Sequence, residues 1–334
     1  MRILISILAL SLAALPLSAA NLQIYFIDVE GGQATLIVSP SGESMLVDAG
    51  WPGFNGRDAD RIAAAAKLAG VKRIDYLLNT HYHTDHAGGI PEIAAKIPIV
   101  HYVDHGSNTE TNPGAQKLAA AYDEVAAKGK RLVVKPGDKI PLRGVEIDVV
   151  AAHGAVISKP LPGAGAPNPA CASIEPKRED RSENGRSVAF ILKYGNFRFA
   201  NMADLTWNKE NELVCPNNLI GTADVYLITH HGLDISNSPA ILAALQPVVA
   251  IGNNGAKKGG VPGSFQVIRN TPSVKDIWQL HYAIPAGDLN APEQFIANPE
   301  AENCQGHYIK LTAESDGSFT ITNSRNNFSK TYKR

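Results

Sequence analysis

Neither sign of charge dominates this sequence: 31 Lys and Arg residues face 32 Asp and Glu, for a formal net charge of −1. That balance excludes the strongly basic footprint with which a protein grips a polyanion non-specifically. Charge runs, low-complexity tails and internal repeats are also missing, which excludes fibrous, solenoid and disordered classes. Cysteine is scarce, with only Cys171, Cys215 and Cys304. None stands in a Cys-x-x-Cys or other metal-ligand spacing. An odd count allows at most one bridge within the chain, and the sequence does not name its partners.

Long apolar runs are nearly absent too. Ile3 to Leu15 is apolar, behind Met1-Arg2 and ahead of Pro16-Leu17-Ser18-Ala19-Ala20. This pattern reads as a secretory signal peptide over residues 1–20. It is shorter than the roughly 20 apolar residues of a membrane span. No Cys follows the cleavage site, so a lipid anchor is not indicated. The expectation is a soluble exported protein, periplasmic or extracellular, with residues 21–334 as one domain.

What the sequence does have is enough apolar residue, 44% of the chain, to bury a substantial core. Strands are expected over 21–29, 34–40, 44–47, 74–78 and 99–103, with helices over 57–69, 88–96 and 113–128 between and after them. A second batch of strands begins with Val133 and continues over 145–152, 187–194, 197–202, 225–229 and 248–251, with a helix over 239–245. A hairpin over 308–312 and 319–322 closes the chain. Two batches of strands interleaved with helices suggest a layered α/β sandwich. Residues 154–186, rich in Pro, Gly and charge, read as a surface insertion. The stretch 252–271 is irregular and shows no periodicity, and within it residues 252–260 read as a mobile loop near the site.

Chemistry concentrates in Thr80-His81-Tyr82-His83-Thr84-Asp85-His86, placed at the end of a buried-type strand. Three imidazoles and a carboxylate so close together form a metal-ligand density that a structural loop does not need. In a strand-to-helix turn, His81 and His83 can point one way while Asp85 and His86 point another, which suits two neighbouring ions. Neutral imidazole and carboxylate fit Zn2+, with Mn2+ or Fe as alternatives.

This His-x-His-x-Asp-His motif resembles the signature of the metallo-β-lactamase superfamily, and further landmarks follow in order. Asp48, in Leu46-Val47-Asp48-Ala49-Gly50, matches the acidic residue that supports the metal loop. His153, Asp204 and His230-His231-Gly232 each follow an expected strand and match later ligand positions. The resemblance implies a four-layer αβ/βα sandwich with two Zn2+ ions at one edge, between the sheet halves. His81, His83 and His153 would hold one ion, Asp85, His86 and His230 the other, and Asp204 would bridge. His231 stays open as the alternative ligand or as a substrate-contacting group. A water between the two cations would lose its proton and become the nucleophile, with Asp85, His231 and His105 as the catalytic side chains.

Finer comparisons narrow the expectation. Di-iron redox members of the fold carry Glu where this chain has His83, and many β-lactamases carry Cys in place of Asp204. Phe26 to Ala34 is similar to the opening of the hydrolase domain of bacterial DNA-uptake channel proteins. It departs from them at Glu30 and Gln33, and the chain lacks their membrane segments. His230-His231-Gly232 with Ser236 and Ser238 looks like that group and the phosphorylcholine esterases. Fold-level ancestry says little about substrate. The expected function is hydrolysis of a small phosphodiester or phosphorylated envelope component, with no stable nucleic-acid binding. The alternatives are a lactonase, β-lactamase or other ester or amide hydrolase, and a non-catalytic metal-binding protein. Lys257 and Lys258 are candidate contacts to an anionic substrate, while His281 and His307 read as structural.

Overall fold

The computed structural model describes residues 21–334, so the expected signal peptide lies outside the described residues. The chain enters through β1 (Leu22–Phe26), β2 (Thr35–Val38), β3 (Ser44–Val47), β4 (Ile74–Leu78), β5 (Ile99–Asp104) and β6 (Lys130–Val133). It crosses to β7 (Glu146–Ala152), β8 (Ala155–Val156), β9 (Ala189–Tyr194), β10 (Phe197–Asn201), β11 (Val225–Leu227), β12 (Val249–Gly252), β13 (Asp276–His281) and β14 (Ile296–Asn298). It then returns through β15 (Ile309–Ala313), β16 (Phe319–Asn323) and β17 (Ser329–Tyr332). The result is a nine-stranded sheet in the order β17-β16-β15-β1-β2-β3-β4-β5-β6 and an eight-stranded sheet in the order β14-β13-β12-β11-β10-β9-β7-β8.

Alternation along the strands sets the layers. Leu22, Ile24 and Phe26 of β1 face the second sheet, where Phe26 meets Phe199 edge-on at 5.9 Å, while Tyr25 and Ile27 face outward onto helices. Helices α1 (Arg57–Leu68), α2 (Thr84–Ala87), α3 (Ile90–Ala94) and α4 (Pro113–Ala126) follow strands of the first sheet; α5 (Trp207–Val214), α6 (Pro239–Leu245) and α7 (Pro262–Arg269) follow strands of the second. Helix α1 buries Ala59, Ile62, Ala65 and Ala66, one stripe of an amphipathic helix, and carries Asp58 and Asp60 in its first turn. Helix α4 starts where Asn112 accepts a hydrogen bond from the Ala115 N–H at 2.9 Å, with Pro113 in the first turn. Sheet pairs with helices outside them make the expected four-layer sandwich.

The structure revises parts of the element reading. Val133 belongs to β6, the edge of the first sheet, rather than to the second batch of strands. The stretch 252–271 is not irregular throughout, because Pro262 opens α7, which buries Phe265 and Ile268 three residues apart. Strand β13, missed for its polar Asp276, Gln279 and His281, is nearly all buried inside the second sheet. The insertion at 154–186 is tied down by a disulfide between Cys171 and Cys215, and Cys304 is left free.

Strands β3 to β6 run parallel, as do β10 to β14. Carboxyl ends of parallel strands are where an open sheet places its ligand sites. Here Asp48 follows β3, His81 follows β4, His105 follows β5, Asp204 follows β10 and His230 follows β11. The antiparallel β7 delivers His153 in the same way.

Candidate metal centre

Backbone conformation turns these strand ends sharply. Asp48, His153, Ala203, His230 and His231 all hold φ between 48° and 58°, a region that non-glycine residues enter at a cost. Such strain collects where a site dictates side-chain direction. The Thr80 carbonyl accepts from the Val188 N–H at 2.9 Å, joining the motif loop to the start of β9 in the opposite sheet.

Asp204 is the meeting point. Its Oδ2 lies 3.2 Å from His86 Nε2, 3.4 Å from both His230 Nε2 and His231 Nε2, and 3.9 Å from His81 Nε2. Asp85 Oδ2 lies 3.1 Å from His231 Nε2 and 3.3 Å from His86 Nε2. Asp85, His86, Asp204 and His231 thus offer ligand atoms within 4.8 Å of one another, all buried. The sequence reading preferred His230 for the last ligand; the tight group contains His231, while His230 reaches Asp204 and, at 3.4 Å, the Asn184 amide. His83 Nδ1 faces His81 Nε2 at 3.1 Å, and its Nε2 meets Glu110 Oε1 at 3.1 Å.

Outer hydrogen bonds decide which ring nitrogen each histidine presents. Asp48 Oδ2 faces His86 Nδ1 at 2.8 Å, so that nitrogen carries the proton and Nε2 turns to the centre. The Thr80 hydroxyl spends its proton on Asp48 at 2.8 Å and must accept from His81 Nδ1 at 3.1 Å, again freeing Nε2. Ser236 donates to the Leu205 carbonyl at 2.8 Å and accepts from His230 Nδ1 at 3.2 Å, with the same result. Lone pairs from several segments therefore converge on one volume beside two carboxylates. His86 Nε2 and His231 Nε2 face each other at 3.2 Å, an arrangement that a shared cation satisfies.

The titration behaviour agrees with this donor set. Burial opposes ionisation of Asp204 and Asp85, yet the surrounding imidazoles, His86 foremost, hold both carboxyls well below the usual range. Burial holds His81 well below an ordinary histidine and His230 down at about 4, leaving both neutral as ligands must be. His86 goes the other way. Despite its burial, Asp204, Asp85 and Asp48 push it well above its ordinary value. Positive charge is in demand at this point. The Lys258 ammonium, one-third exposed, supplies some of it by pairing with Asp85 Oδ2, with its Nζ 5.0 Å from the Trp51 ring centre. The donor chemistry fits one or two divalent cations.

His153 stands apart. It is exposed, and its Nδ1 faces His105 Nδ1 at 3.5 Å; among the described residues, no hydrogen bond or ring contact joins it to His81 or His83. His105 is buried and held by Glu183, whose Oε2 meets His105 Nε2 at 2.9 Å and accepts from the Tyr82 N–H at 3.2 Å. Glu183 Oε1 accepts from the Thr109 N–H at 2.8 Å and hydroxyl at 2.6 Å. Burial works against the charge, but His105 and Thr109 hold the Glu183 carboxyl down at about 2. Glu183 and Glu110 escape a reading of the sequence because one sits in an irregular charged stretch and the other in an irregular polar one, neither with ligand spacing. Beside the centre, Lys177, Arg178, Glu179, Asp180 and Arg181 of the insertion border a cavity of about 870 Å³ with Thr206, Trp207, Asn208 and Ile235. Thr206 and Ile235 lie just beyond Asp204 and His231 in the chain.

Residues 27–177, which include Asp48, the 81–86 motif and His153, match the family model of the metallo-beta-lactamase superfamily. No curated protein sequence matches the chain. Among solved structures it is similar to a metallo-beta-lactamase HARLDQ motif mutant from Cronobacter sakazakii, at 16% identity over 54% of this chain and 60% of that one, with a TM-score of 0.32. It is similar to CmlA, a diiron beta-hydroxylase from Streptomyces venezuelae, at 17% identity, 71% and 45% coverage and a TM-score of 0.39. The metallo-beta-lactamase fold protein YhfI from Bacillus subtilis shows 12% identity, 78% and 96% coverage and a TM-score of 0.45. The chain thus spans less than two thirds of the Cronobacter and Streptomyces proteins. Over residues 27–177, somewhat under half of its length, the chain thus matches the metallo-beta-lactamase superfamily, and Asp85 and His86 of its strand-end cluster lie within that match.

Proposed function

We propose that the protein is an exported hydrolase that uses two zinc ions to cleave a small phosphodiester or a phosphorylated envelope component. The observation that carries this reading is Asp204 Oδ2, approached by ring nitrogens of His81, His86, His230 and His231 within 3.9 Å. One carboxylate shared so widely is suited to bridge two ions. Asp85, His86 and His231 would complete one side of the pair, with His230 in reserve; His81 and His83 would begin the other, which His153 would join only by turning its exposed ring away from His105. Bound divalent ions supply Lewis acidity and lower the pKa of water to near neutrality.

The chain's own residues do the rest. Asp48 and Thr80 orient His86 and His81, and Ser236 orients His230. Glu183 fixes His105 with Nδ1 open on the side of His153, placing an imidazole that can hold or pass a proton. Once Asp85 is committed to a cation, the Lys258 ammonium is available to an anionic group of the substrate. That cation, and those of Lys177, Arg178 and Arg181 around the neighbouring cavity, support a phosphorylated substrate over a neutral lactone.

Protein purified without chelator should approach two metal equivalents. It should hydrolyse bis-p-nitrophenyl phosphate in preference to a lactone or a chromogenic cephalosporin. Stoichiometry fixed at one under zinc excess would remove the binuclear reading, and preference for the lactone or cephalosporin would remove the phosphodiester.

A further inference from the structure

A second cluster of ligand atoms lies outside this centre. Asp28, Glu30, His281 and Cys304 offer donors within 4.8 Å of one another. They come from the β1–β2 loop, the end of β13 and the irregular segment before β15. Asp28 and His281 are fully buried; Glu30 and Cys304 are partly so. His281 Nε2 lies 2.7 Å from Asp28 Oδ1, 3.6 Å from Glu30 Oε2 and 3.8 Å from Cys304 Sγ. One ring nitrogen is thus faced by two carboxylate oxygens and a sulfur.

The nearest cation, Arg61, engages mainly the other oxygens. Its guanidinium meets Asp28 Oδ2 at 2.7 Å, Glu30 Oε1 at 3.4 Å, and the Asp28 and Cys304 carbonyls at 3.3 and 3.1 Å. Asp28 Oδ1 and Glu30 Oε2 remain turned toward His281. The Cys304 thiol donates to Asp28 Oδ2 at 3.0 Å and accepts from the Gly306 N–H at 3.3 Å. The Gly306 backbone is packed so tightly against Arg61 that a Cβ would fall 2.4 Å from its Nε. Arg61 therefore acts as an outer brace that fixes the donors.

We propose that Asp28, Glu30, His281 and Cys304 form a second, structural site for a divalent metal ion of the zinc class. A mixed sulfur, nitrogen and oxygen set of this size suits tetrahedral zinc or cobalt. Charge favours the assignment. Two carboxylates against one guanidinium leave a net negative charge in a largely buried place. A divalent ion that takes Cys304 as thiolate brings the set to neutrality. The thiol proton goes to solvent, and the imidazole moves its N–H from Nε2 to Nδ1, which is buried without a partner. Burial and Asp28 push the thiol pKa up, so a cation is what would make it a ligand. The consequence reaches the first centre: Glu30 backbone atoms lie within 2.9 Å of where a Gly255 Cβ would be, and Gly255 opens the loop that carries Lys258. An ion here would stiffen one wall of the active site.

Sulfur makes the test selective. The first centre contains only nitrogen and oxygen donors, and Cys171 and Cys215 are tied in a disulfide, so only Cys304 can give a thiolate-to-cobalt charge-transfer band. Chelator-treated full-length protein titrated with Co2+ should develop that band, with one equivalent more bound than in Cys304→Ser, which should lack the band. Saturating Zn2+ should slow labelling of Cys304 by a thiol reagent by at least about tenfold, since a bound thiolate is masked. No band in the wild-type protein at any cobalt level, or a band that persists in Cys304→Ser, overturns the proposal. The wild-type titration decides alone should the variant fail to fold. A normal two-equivalent d–d spectrum without the thiolate band would leave the first centre standing and remove only the second.

Discussion

Asp204 carries more of the centre's geometry than any other side chain, because its Oδ2 is the common neighbour of His81, His86, His230 and His231. Truncating it removes a shared ligand and leaves buried imidazoles without their counter-charge. Asp204→Ala should lower metal content below two equivalents and cut kcat/KM at least about a hundredfold, beyond the 10- to 100-fold typical of outer-shell losses. It should cost at least as much as His153→Ala. Near-normal turnover in Asp204→Ala would end the bridging assignment. The adjacent histidines offer a finer comparison. His231 sits 3.1 Å from Asp85 and 3.2 Å from His86, whereas His230 meets only Asp204 among these carboxylates. Metal analysis of the two alanine variants should show the larger loss in His231→Ala. The sequence favours His230, the nearer to the end of β11, but the backbone holds φ of 54° at both positions and brings the His231 ring into the tight group. His81, Asp85 and His86 were legible because spacing within one turn is a local property. The pairing of His105 with Glu183, 78 residues away, was not.

Elements deliver these residues, and their legibility followed the strength of their local signals. Strands β3 and β4 and helix α6 fall where apolar runs and flanking breakers put them. Helix α7 and strand β13 were hidden, one in a short Gly- and Pro-rich stretch, the other by polar residues that the sheet buries. The insertion between β8 and β9 depends on long-range anchors: the Cys171–Cys215 disulfide at one point and Glu183 at another. Glu183 makes a testable contribution to the pH dependence of stability. Its folded pKa of about 2 lies below the ordinary 4.5, so it stabilises the fold above the ordinary value. That contribution fades as pH falls from 4.5 toward 2. The shift corresponds to about 3 kcal/mol. Urea unfolding should show Glu183→Gln less stable than wild type by roughly 2–3 kcal/mol near neutral pH, with the gap closing in strong acid. A gap that stayed constant with pH would mean that Glu183 acts through packing rather than charge.

Charge distribution over the whole molecule bears on which substrates can reach the metals. A formal net charge of −1 gives no long-range pull on a polyanion. Around the cavity of about 870 Å³ the cations Lys177, Arg178 and Arg181 are interleaved with Glu179 and Asp180, and Arg181 is itself paired with Glu179 at 3.1 Å. Lys177 is partly committed as well, its Nζ lying 3.9 Å from the Trp207 ring centre. Mixed signs of this kind can hold one or two phosphoryl groups beside an aromatic face, but they do not form a track along a nucleic-acid backbone. Small phosphodiesters should therefore be cleaved with much higher kcat/KM than duplex or single-stranded DNA. Salt gives the sharper test, because neutralising a phosphate releases counterions. Six or more phosphate contacts would cost roughly a thousandfold in affinity between about 50 and 200 mM salt. One or two contacts should cost only a factor of several. Measuring kcat/KM on bis-p-nitrophenyl phosphate and on an oligonucleotide across that range separates the cases. A shallow slope with the small diester preferred is the expected outcome. A steep slope on DNA with little activity on the small diester would show that the cationic side chains around the cavity act together as a nucleic-acid track, despite the acidic residues between them.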